Sequence, residues 1–278
     1  MVGGSREPFR DRLAASTSRL CIGIDPEPDA LPPHLGDGVS AVRRFCLELI
    51  EATADQAAAF KPNAAFFEQM GHEGWELLEE VVEAAGRRAL VVVDAKRGDI
   101  GSTATAYARA VFDSLGADAC TVNPYLGRDA LRPFLDRPDR LAFVLCRTSN
   151  AGAADFQDLP VGAAGAPLYI QVARSVTAWD QEPPGGTAGL VVGATWPREL
   201  GQVRAEAPGL PLLIPGVGAQ GGDLEACVRE LAGTAGSYLI SVSRGVAAAS
   251  RGPDFAEAAL RSAASLCQRI TTAAQTSE

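Results

Sequence analysis

Four charged residues follow an apolar run in "VVVDAKRGDI" (91–100), and three of them have a spacing that could support chemistry: Asp94, Lys96 and Asp99. On a β-strand, positions 94 and 96 point to the same side, so both side chains can enter one cavity, while Asp99 falls in the following turn. A surface salt bridge is the alternative interpretation of this spacing. The apolar run "ALVVV" before Asp94 favours a buried strand end, where an ammonium between two carboxylates could supply fixed charge to a reaction.

The elements that must position these residues alternate between short strands and helices. Eight β-rich runs are predicted strands: residues 19–25, 57–63, 89–95, 118–124, 141–147, 188–194, 210–216 and 237–243. Several are apolar on both faces, which is typical of parallel strands that helices cover. Eight strand–helix units match an α/β fold, the (β/α)8 TIM barrel, as a single domain over residues 1–278. A doubly wound open sheet is the competing architecture.

Further polar residues fall at or just past the predicted strand ends, where a TIM barrel gathers its chemistry. They are Asp25, Lys61, Asn123, Ser149 and Arg244. The stretch "PGVGAQGGD" (215–223) follows the seventh strand, and its glycines let backbone N–H groups approach an anion closely. Because Arg244 ends the eighth strand and can offer phosphate a bidentate fork, the two features together predict a phosphate site.

The bulk composition limits the classes of partner. The 278-residue chain carries a formal net charge of -9 at pH 7, so its outer field repels nucleic acid and anionic lipid, and an anionic substrate needs a local cationic pocket. Six cysteines without a CxxC pair predict buried thiols in a reducing compartment. Since neither a signal peptide nor a membrane span is recognisable, we expect a cytoplasmic protein with no membrane partner. Two histidines leave little material for a His-rich metal site or a Ser-His-Asp triad.

The stretch "DAKRGDI" (94–100) resembles the D-x-K-x-x-D-I signature of the orotidine 5'-phosphate decarboxylase family. Similar matches follow at other predicted strand ends, in the order and spacing of that family: "CIGIDP" (21–26), "FKPN" (60–63), "TVNPYLG" (121–127), "RTSN" (147–150), "PGVGAQGGD" (215–223) and "SRG" (243–245). The residues of "RTSN" and "GAQGGD" resemble those of the longer bacterial branch of the family more closely than those of the shorter branch. The resemblance implies a TIM barrel that converts orotidylate to UMP in pyrimidine biosynthesis.

The resemblance also implies catalytic roles, residue by residue. Lys96 would donate a proton to C6 of the pyrimidine, and Asp94 would lie beside the departing carboxylate. Lys61 would join the charged network and help to hold the ribose. Members of the family are homodimers with shared active sites, so Asp99 would reach into the site of the neighbouring subunit, together with Ile100 and Thr103.

The remaining implied roles concern substrate binding. Asp25 would bind ribose hydroxyls, Ser149 would contact the pyrimidine ring, and the 5'-phosphate would lie on two side chains, those of Gln220 and Arg244. The expected substrate-binding set is completed by Asn123, Pro215, Gly216 and Gly245. The resemblance implies neither a cofactor nor a metal.

The chemistry of the implied reaction explains why such residues are needed. The electrons left at C6 occupy an in-plane orbital that the ring cannot delocalise, and most decarboxylases meet this difficulty with a cofactor. A fixed ammonium about 4 Å from the developing charge contributes about 4 kcal/mol at an effective dielectric of about 20, or about a thousandfold in rate. We favour such preorganised stabilisation as the main local effect, with the carboxylates keeping Lys96 charged and oriented.

Other functions remain open on the sequence alone. A magnesium-dependent sugar-phosphate decarboxylase or aldolase of the same barrel group also carries D-x-K-x-x-D, although "RTSN" and Gln220 argue against it. A catalytically silent nucleotide-binding barrel is a second alternative. A Schiff-base lysine at position 61, as in aldolase-like barrels, is a third.

Three segments lack a firm prediction. Residues 1–18 form an extension without a family motif, and 246–278 hold a closing helix and tail; these ends either pack as capping and closing helices or fray. The stretch 149–167 after the fifth strand is longer than usual for a barrel loop, and it is either a lid or a plain surface loop.

Overall fold

The computed structural model describes residues 7–218 and 220–276. Its strands are β1 (Leu20–Ile24), β2 (Ala59–Pro62), β3 (Leu90–Arg97), β4 (Ala119–Val122), β5 (Leu141–Arg147), β6 (Pro160–Val161), β7 (Ala166–Pro167), β8 (Ala188–Val192), β9 (Leu212–Pro215) and β10 (Tyr238–Val242). Strands β6 and β7 pair with each other in a separate two-stranded sheet. The other eight are parallel and close into a barrel, in which β10 pairs with β1.

The eight barrel strands confirm the predicted fold class. Each overlaps one of the eight predicted runs, because strands buried on both faces leave an unbroken apolar signal; every residue of β1 and of β8 is buried. The doubly wound alternative is wrong, since an open sheet has two unpaired edges and here each barrel strand pairs on both sides.

Most of the helices lie between the strands and cover the outside of the barrel. They are α1 (Phe9–Ala15), α2 (Gly38–Thr53), α3 (Ala64–Glu68), α4 (His72–Gly86), α5 (Gly101–Arg109), α6 (Arg128–Leu135), α7 (Leu168–Asp180), α8 (Pro197–Glu206), α9 (Leu224–Leu231), α10 (Arg244–Ala247) and α11 (Phe255–Gln275). In α4 the apolar residues recur at helical spacing and are the buried ones, so the helix packs one stripe against the sheet. None of the helices in the described residues has the length and hydrophobicity needed to cross a bilayer.

The core has two parts. An outer layer fills the space between strands and helices, and an inner layer fills the barrel itself, with Cys21, Val92 and Phe143 among its members. Two residues further along the same inward faces, four of the strands carry polar side chains that line the cavity described below: Lys61, Asp94, Thr121 and Ser241. On these four strands, inward-facing positions therefore change from apolar core to polar site.

The amino-terminal segment closes the other end of the barrel. Phe9 and Leu13 of α1 are buried in the inner core, and the Phe9 ring meets Phe143 edge to face with centroids 5.8 Å apart. Arg10 of α1 donates to Asp180 at 2.7 Å, which ties the helix to α7. The extension thus contains a packed helix, Phe9–Ala15, while the first six residues of the segment lie outside the described residues.

The carboxyl-terminal segment packs along the barrel exterior. Helix α11 contacts α2 and α9, and Phe255 at its start stacks on Phe45 of α2 with ring centroids 5.5 Å apart. The segment therefore contains a closing helix that reaches Gln275, and residues 277–278 of the tail lie outside the described residues.

The stretch after β5 contains secondary structure of its own. It begins with a 3-10 turn, Ala151–Asp155, and continues into the β6–β7 hairpin, which leads directly into α7. Phe156 of this segment is 63% exposed although it also lines the cavity described below.

Candidate active site

A cavity of about 630 Å³ opens at the carboxyl ends of the barrel strands. Most of the residues that the sequence proposes for a site line it: Asp25, Lys61, Asp94, Lys96, Ser149, Pro215, Gly216, Gln220 and Arg244. These residues come from positions between 25 and 244, and only the closure of the barrel brings them together.

Two lysines and one aspartate form the charged centre of the cavity. The Asp94 carboxylate accepts from Lys61 Nζ at 2.9 Å through one oxygen and from Lys96 Nζ at 2.6 Å through the other. The Lys61 side chain is 6% exposed and that of Lys96 is 51% exposed. Lys61 is therefore fixed inside the barrel, while Lys96 presents its ammonium to the open part of the cavity.

The electrostatics of this cluster keep Asp94 and Lys61 ionised. Burial alone would raise the pKa of Asp94, but the attraction of Lys61 and Lys96 outweighs burial and holds that pKa well below its usual range. Burial alone would lower the pKa of Lys61, and the carboxylates of Asp94 and Asp25 reverse the effect and raise it. A Schiff-base lysine needs a readily accessible neutral amine, so this direction argues against an aldolase-like role for Lys61.

These pKa directions predict a flat pH dependence of stability. Asp94, with its folded-state pKa depressed, contributes stability that is complete above about pH 4 and is lost as pH falls further. Lys61, with its pKa raised, contributes stability that is complete below about pH 10 and is lost as pH rises through the folded-state value. From this pair we expect a constant free energy of unfolding between about pH 5 and pH 9, measured by urea denaturation. A titration inside that window that disappears in Asp94→Asn would contradict the assigned directions.

The backbone at Lys96 is strained, which the sequence did not indicate. Its φ is 47°, in the left-handed region that a side chain with a Cβ rarely adopts, and the register of β3 against β4 shifts between Val93 and Arg97. Lys96 and Asp94 still share the cavity as predicted, but regular strand alternation is not the reason. The irregular backbone directs Lys96 there.

Thr121 of β4 supports this strained segment and was missed by the sequence argument. Its hydroxyl oxygen accepts from Lys96 N at 2.9 Å, and its hydroxyl donates to Asp94 Oδ1 at 2.8 Å. Thr121 is buried, and a buried hydroxyl on an inward-facing strand position needs a partner. That requirement, together with its place at the start of "TVNPYLG", was the available signal.

Within the part of the chain that the structure describes, two buried oxygens at the cavity have no hydrogen-bond partner. They are Asp25 Oδ1 and Ser243 Oγ, and both residues line the cavity. Unpaired buried acceptors and hydroxyls are costly in a folded protein, so such atoms at the edge of a cavity indicate the position of a polar ligand group.

On the opposite side of the cavity, the ends of β5 and β9 meet. Ser149 Oγ donates to Gln220 Oε1, and a Cβ on Gly216 would lie 2.7 Å from the same Gln220 oxygen. A Cβ on Gly193 after β8 would lie 2.7 Å from the Ser149 backbone nitrogen. The absence of side chains at these two glycines therefore allows the segment of Ser149 and the loop of Gln220 to approach each other.

Five proposed site residues lie away from this cavity within the single chain: Asp99, Ile100, Thr103, Asn123 and Gly245. Asp99 follows β3 and accepts from Ile100 N at 2.7 Å, and the Ile100 side chain is 59% exposed. Asn123 caps a 3-10 turn by accepting from Tyr125 N at 3.0 Å. Asp99, Ile100 and Thr103 were predicted to act in a neighbouring subunit, and a single chain does not test that role.

The thiols and metal-ligating groups add little to the site. All six cysteines are free, five of them are buried, and burial raises the pKa of Cys21, directly below Lys61 in the barrel, to about 12. Among residues 7–218 and 220–276, no three His, Cys, Asp or Glu side chains are grouped so that they could hold a metal ion.

Both lysines of the chain lie in this cavity. The sequence contains 25 lysines and arginines together, of which only Lys61 and Lys96 are lysines. Arginine serves as the cation everywhere else, and since its guanidinium does not give up a proton in proteins, a lysine marks a position where ammonium chemistry is required. Sequence reasoning could have used this signal and did not.

The fold and the site define a (β/α)8-barrel enzyme whose lysine–aspartate cluster faces a cavity at the strand ends. Comparison with known protein families gives a specific match. The model of the "Orotidine 5'-phosphate decarboxylase / HUMPS family" matches residues 18–259. The chain therefore belongs to that family, as its motifs predicted.

Individual relatives agree with this assignment. Orotidine 5'-phosphate decarboxylase of Roseiflexus castenholzii is 50% identical over 258 residues, which cover 92% of this chain and 93% of the relative. The solved structure of Leishmania donovani OMP decarboxylase is 43% identical with a TM-score of 0.81, and the match covers 96% of this chain and 99% of that one. At 20% identity and a TM-score of 0.66, the orotidine 5'-monophosphate decarboxylase of Methanocaldococcus jannaschii shares the fold over 90% of this chain and 99% of its own.

Proposed function

We infer that this protein decarboxylates orotidine 5'-phosphate to UMP and carbon dioxide, without a cofactor, as a step of pyrimidine biosynthesis. The observation that carries the proposal is the half-exposed Lys96 ammonium, held at 2.6 Å by an Asp94 carboxylate that stays ionised between two lysines. The family membership and the curated relatives, which are named for this activity, support it.

In the proposed mechanism, the bond between C6 and the carboxylate breaks and its electron pair stays on C6 as carbon dioxide leaves. The Lys96 ammonium stabilises that charge and then gives C6 a proton, and the neutral amine regains a proton from solvent. Asp94 lies beside the departing carboxylate and keeps Lys96 in place. Lys61 holds Asp94 from the buried side.

The rest of the cavity would bind the nucleotide. The unpaired Asp25 Oδ1 supports a role in accepting from ribose hydroxyls. Ser149 would contact the pyrimidine ring, and the phosphate would lie on Gln220 and the Arg244 guanidinium. The backbone of Pro215, Gly216 and Gly245 would lie nearby. For Asn123 the structure offers a capping role instead of a place in the cavity, so its part in binding stays a prediction.

We also propose a cytoplasmic homodimer with shared active sites. Three residues follow the carboxyl end of β3 but lie outside the cavity: Asp99, Ile100 and Thr103. This position suits residues that complete the site of a partner subunit. The exposed apolar side chains Ile100, Tyr125 and Leu126, at 59%, 85% and 48% exposure, support an interface on this side.

The test of the proposed function is the ultraviolet absorbance of orotidylate after addition of the protein. We expect the absorbance to fall as UMP forms, at a rate that a metal chelator does not change. Inhibition by EDTA would favour the magnesium-dependent sugar-phosphate alternative. Binding of UMP without consumption of orotidylate would favour the silent nucleotide-binding barrel.

A further inference from the structure

One charged residue near the cavity does not line it. Arg147 ends β5, is 1% exposed, and lies with its guanidinium carbon 4.3 Å from the centroid of the Trp196 ring and 5.8 Å from that of Tyr169. The register of β5 against β8 shifts between Leu145 and Arg147, and such an irregularity redirects the side chain at that position. Arg147 is therefore held rigidly behind the cavity wall.

From Arg147, hydrogen bonds lead to the segment that faces the cavity. Arg147 Nη1 donates to Gln157 Oε1 at 3.3 Å, and Thr148 N donates to the same oxygen at 2.8 Å. A guanidinium and a backbone N–H can only donate, so the amide oxygen of Gln157 must face both of them. The orientation of the Gln157 amide is thereby fixed.

The fixed amide sets the direction of the bonds that follow. Gln157 Nε2 donates to Thr148 Oγ1 at 2.8 Å, so the single hydroxyl proton of Thr148 is left for another acceptor. That acceptor is Asn150 Oδ1, at 2.7 Å. The amide oxygen of Asn150 is thus engaged, and its two N–H donors are the part of the amide left for a ligand.

Asn150 is placed to use those donors. It lines the cavity next to Ser149, and it is exposed. It also stands at the N-cap position of the 3-10 turn Ala151–Asp155, yet among the described residues its side chain makes no cap hydrogen bond. The side chain is diverted from the usual role of an asparagine at this position.

We propose that Asn150 is a specificity-determining residue that donates to an acceptor oxygen of the bound nucleotide, and that Arg147 and Gln157 are positioning residues that set its orientation. The inference rests on the proposed function. The acceptor is either a carbonyl of the pyrimidine ring or an oxygen of the 5'-phosphate, which both accept from an amide N–H.

Binding of UMP, measured by calorimetry, tests the donor. Asn150→Ala is expected to weaken UMP binding about tenfold while the Tm stays within a few degrees of wild type, because the residue is exposed. An equal loss of uridine binding assigns the ring carbonyl, and an equal loss of ribose 5-phosphate binding assigns the phosphate. Unchanged UMP binding by Asn150→Ala overturns the inference alone, whereas a wild-type protein that binds no UMP overturns the proposed function and this inference together.

Gln157→Glu tests the positioning chain. A carboxylate offers only acceptors, so the Thr148 hydroxyl would donate to it and the Asn150 amide would turn its oxygen towards the ligand. In the wild-type background, we expect Gln157→Glu to weaken UMP binding about tenfold. In the Asn150→Ala background, we expect the same substitution to weaken UMP binding by at most about threefold. Direct repulsion of the nucleotide by the new charge acts in both backgrounds. An equal loss of UMP affinity in the two backgrounds would therefore show that Gln157 does not act through Asn150. Gln171→Glu, which adds the same charge on the exposed face of α7, is the matched control and should leave binding unchanged.

Discussion

Lys96→Ala is expected to lower kcat for orotidylate by at least about a thousandfold, because the variant loses both the ammonium that faces the developing charge and the proton for C6. Lys96 is half exposed and its side chain carries no core packing, so the variant should fold normally. The measurement is the rate of orotidylate absorbance loss under saturating substrate, with the Tm measured on the same preparation.

Two companion variants separate charge from proton donation. Lys96→Arg keeps a cation but not a transferable proton, so we expect it to remain at least about a hundredfold slower than wild type. Arg87→Ala removes an exposed cation that pairs with Glu83 on the surface and should leave kcat unchanged. Equal rates for Lys96→Ala and wild type would show that the role assigned to Lys96 is wrong.

Asp94→Asn is expected to impair both stability and catalysis. The substitution leaves the buried Lys61 ammonium without its nearest counter-charge, and the loss of one partner from a buried ion pair costs about 3–5 kcal/mol of unfolding free energy. It also frees Lys96 from the bond that orients it, so kcat should fall at least about a hundredfold. Urea denaturation at pH 7 and the absorbance assay measure the two effects.

An exposed ion pair provides the control for the stability effect. Asp113 pairs with Arg137, and its pKa is also lowered, first of all by the hydrogen bond from that arginine, but its side chain is 52% exposed. Asp113→Asn should therefore cost less than about 1 kcal/mol. Similar losses of unfolding free energy in Asp94→Asn and Asp113→Asn would contradict the stabilising role of the buried Lys61–Asp94 pair.

The barrel was predictable because its strands are buried on both sides and stand at regular intervals between helix-period segments. The predicted bounds of β5 and the observed ones are the same, 141–147. The role of α1 was not predictable in the same way. Phe9 and Leu13 fill the barrel from below, and a short helix that packs against distant strands leaves no periodic signal strong enough to fix its partner.

The charged centre of the site was predictable for the same reason, since parallel strands bring their carboxyl ends to one edge. Lys61, Asp94 and Lys96 meet there as expected. The left-handed backbone at Lys96 was not predictable from the sequence, because a positive φ at a non-glycine residue is imposed by tertiary contacts such as that with Thr121.

Other features of the site depend on geometry that strand patterns do not carry. The place of Arg147 behind the wall of the cavity follows from an irregularity in β5, and alternation along a regular strand would have directed it elsewhere. The parts predicted for Asp99, Ile100 and Thr103 concern a second subunit, which the pattern of one chain specifies only through resemblance.

Whether the Lys96 ammonium faces the reacting ring can be measured by NMR of protein labelled with 13C-lysine. The chain has two lysines, so two side-chain signals are expected, and Lys96→Ala assigns them. On addition of UMP, we expect a clear shift of the Lys96 signal and a smaller shift of the signal of the buried Lys61. A Lys96 signal that stays unchanged at saturating UMP would show that this ammonium does not face the bound ring.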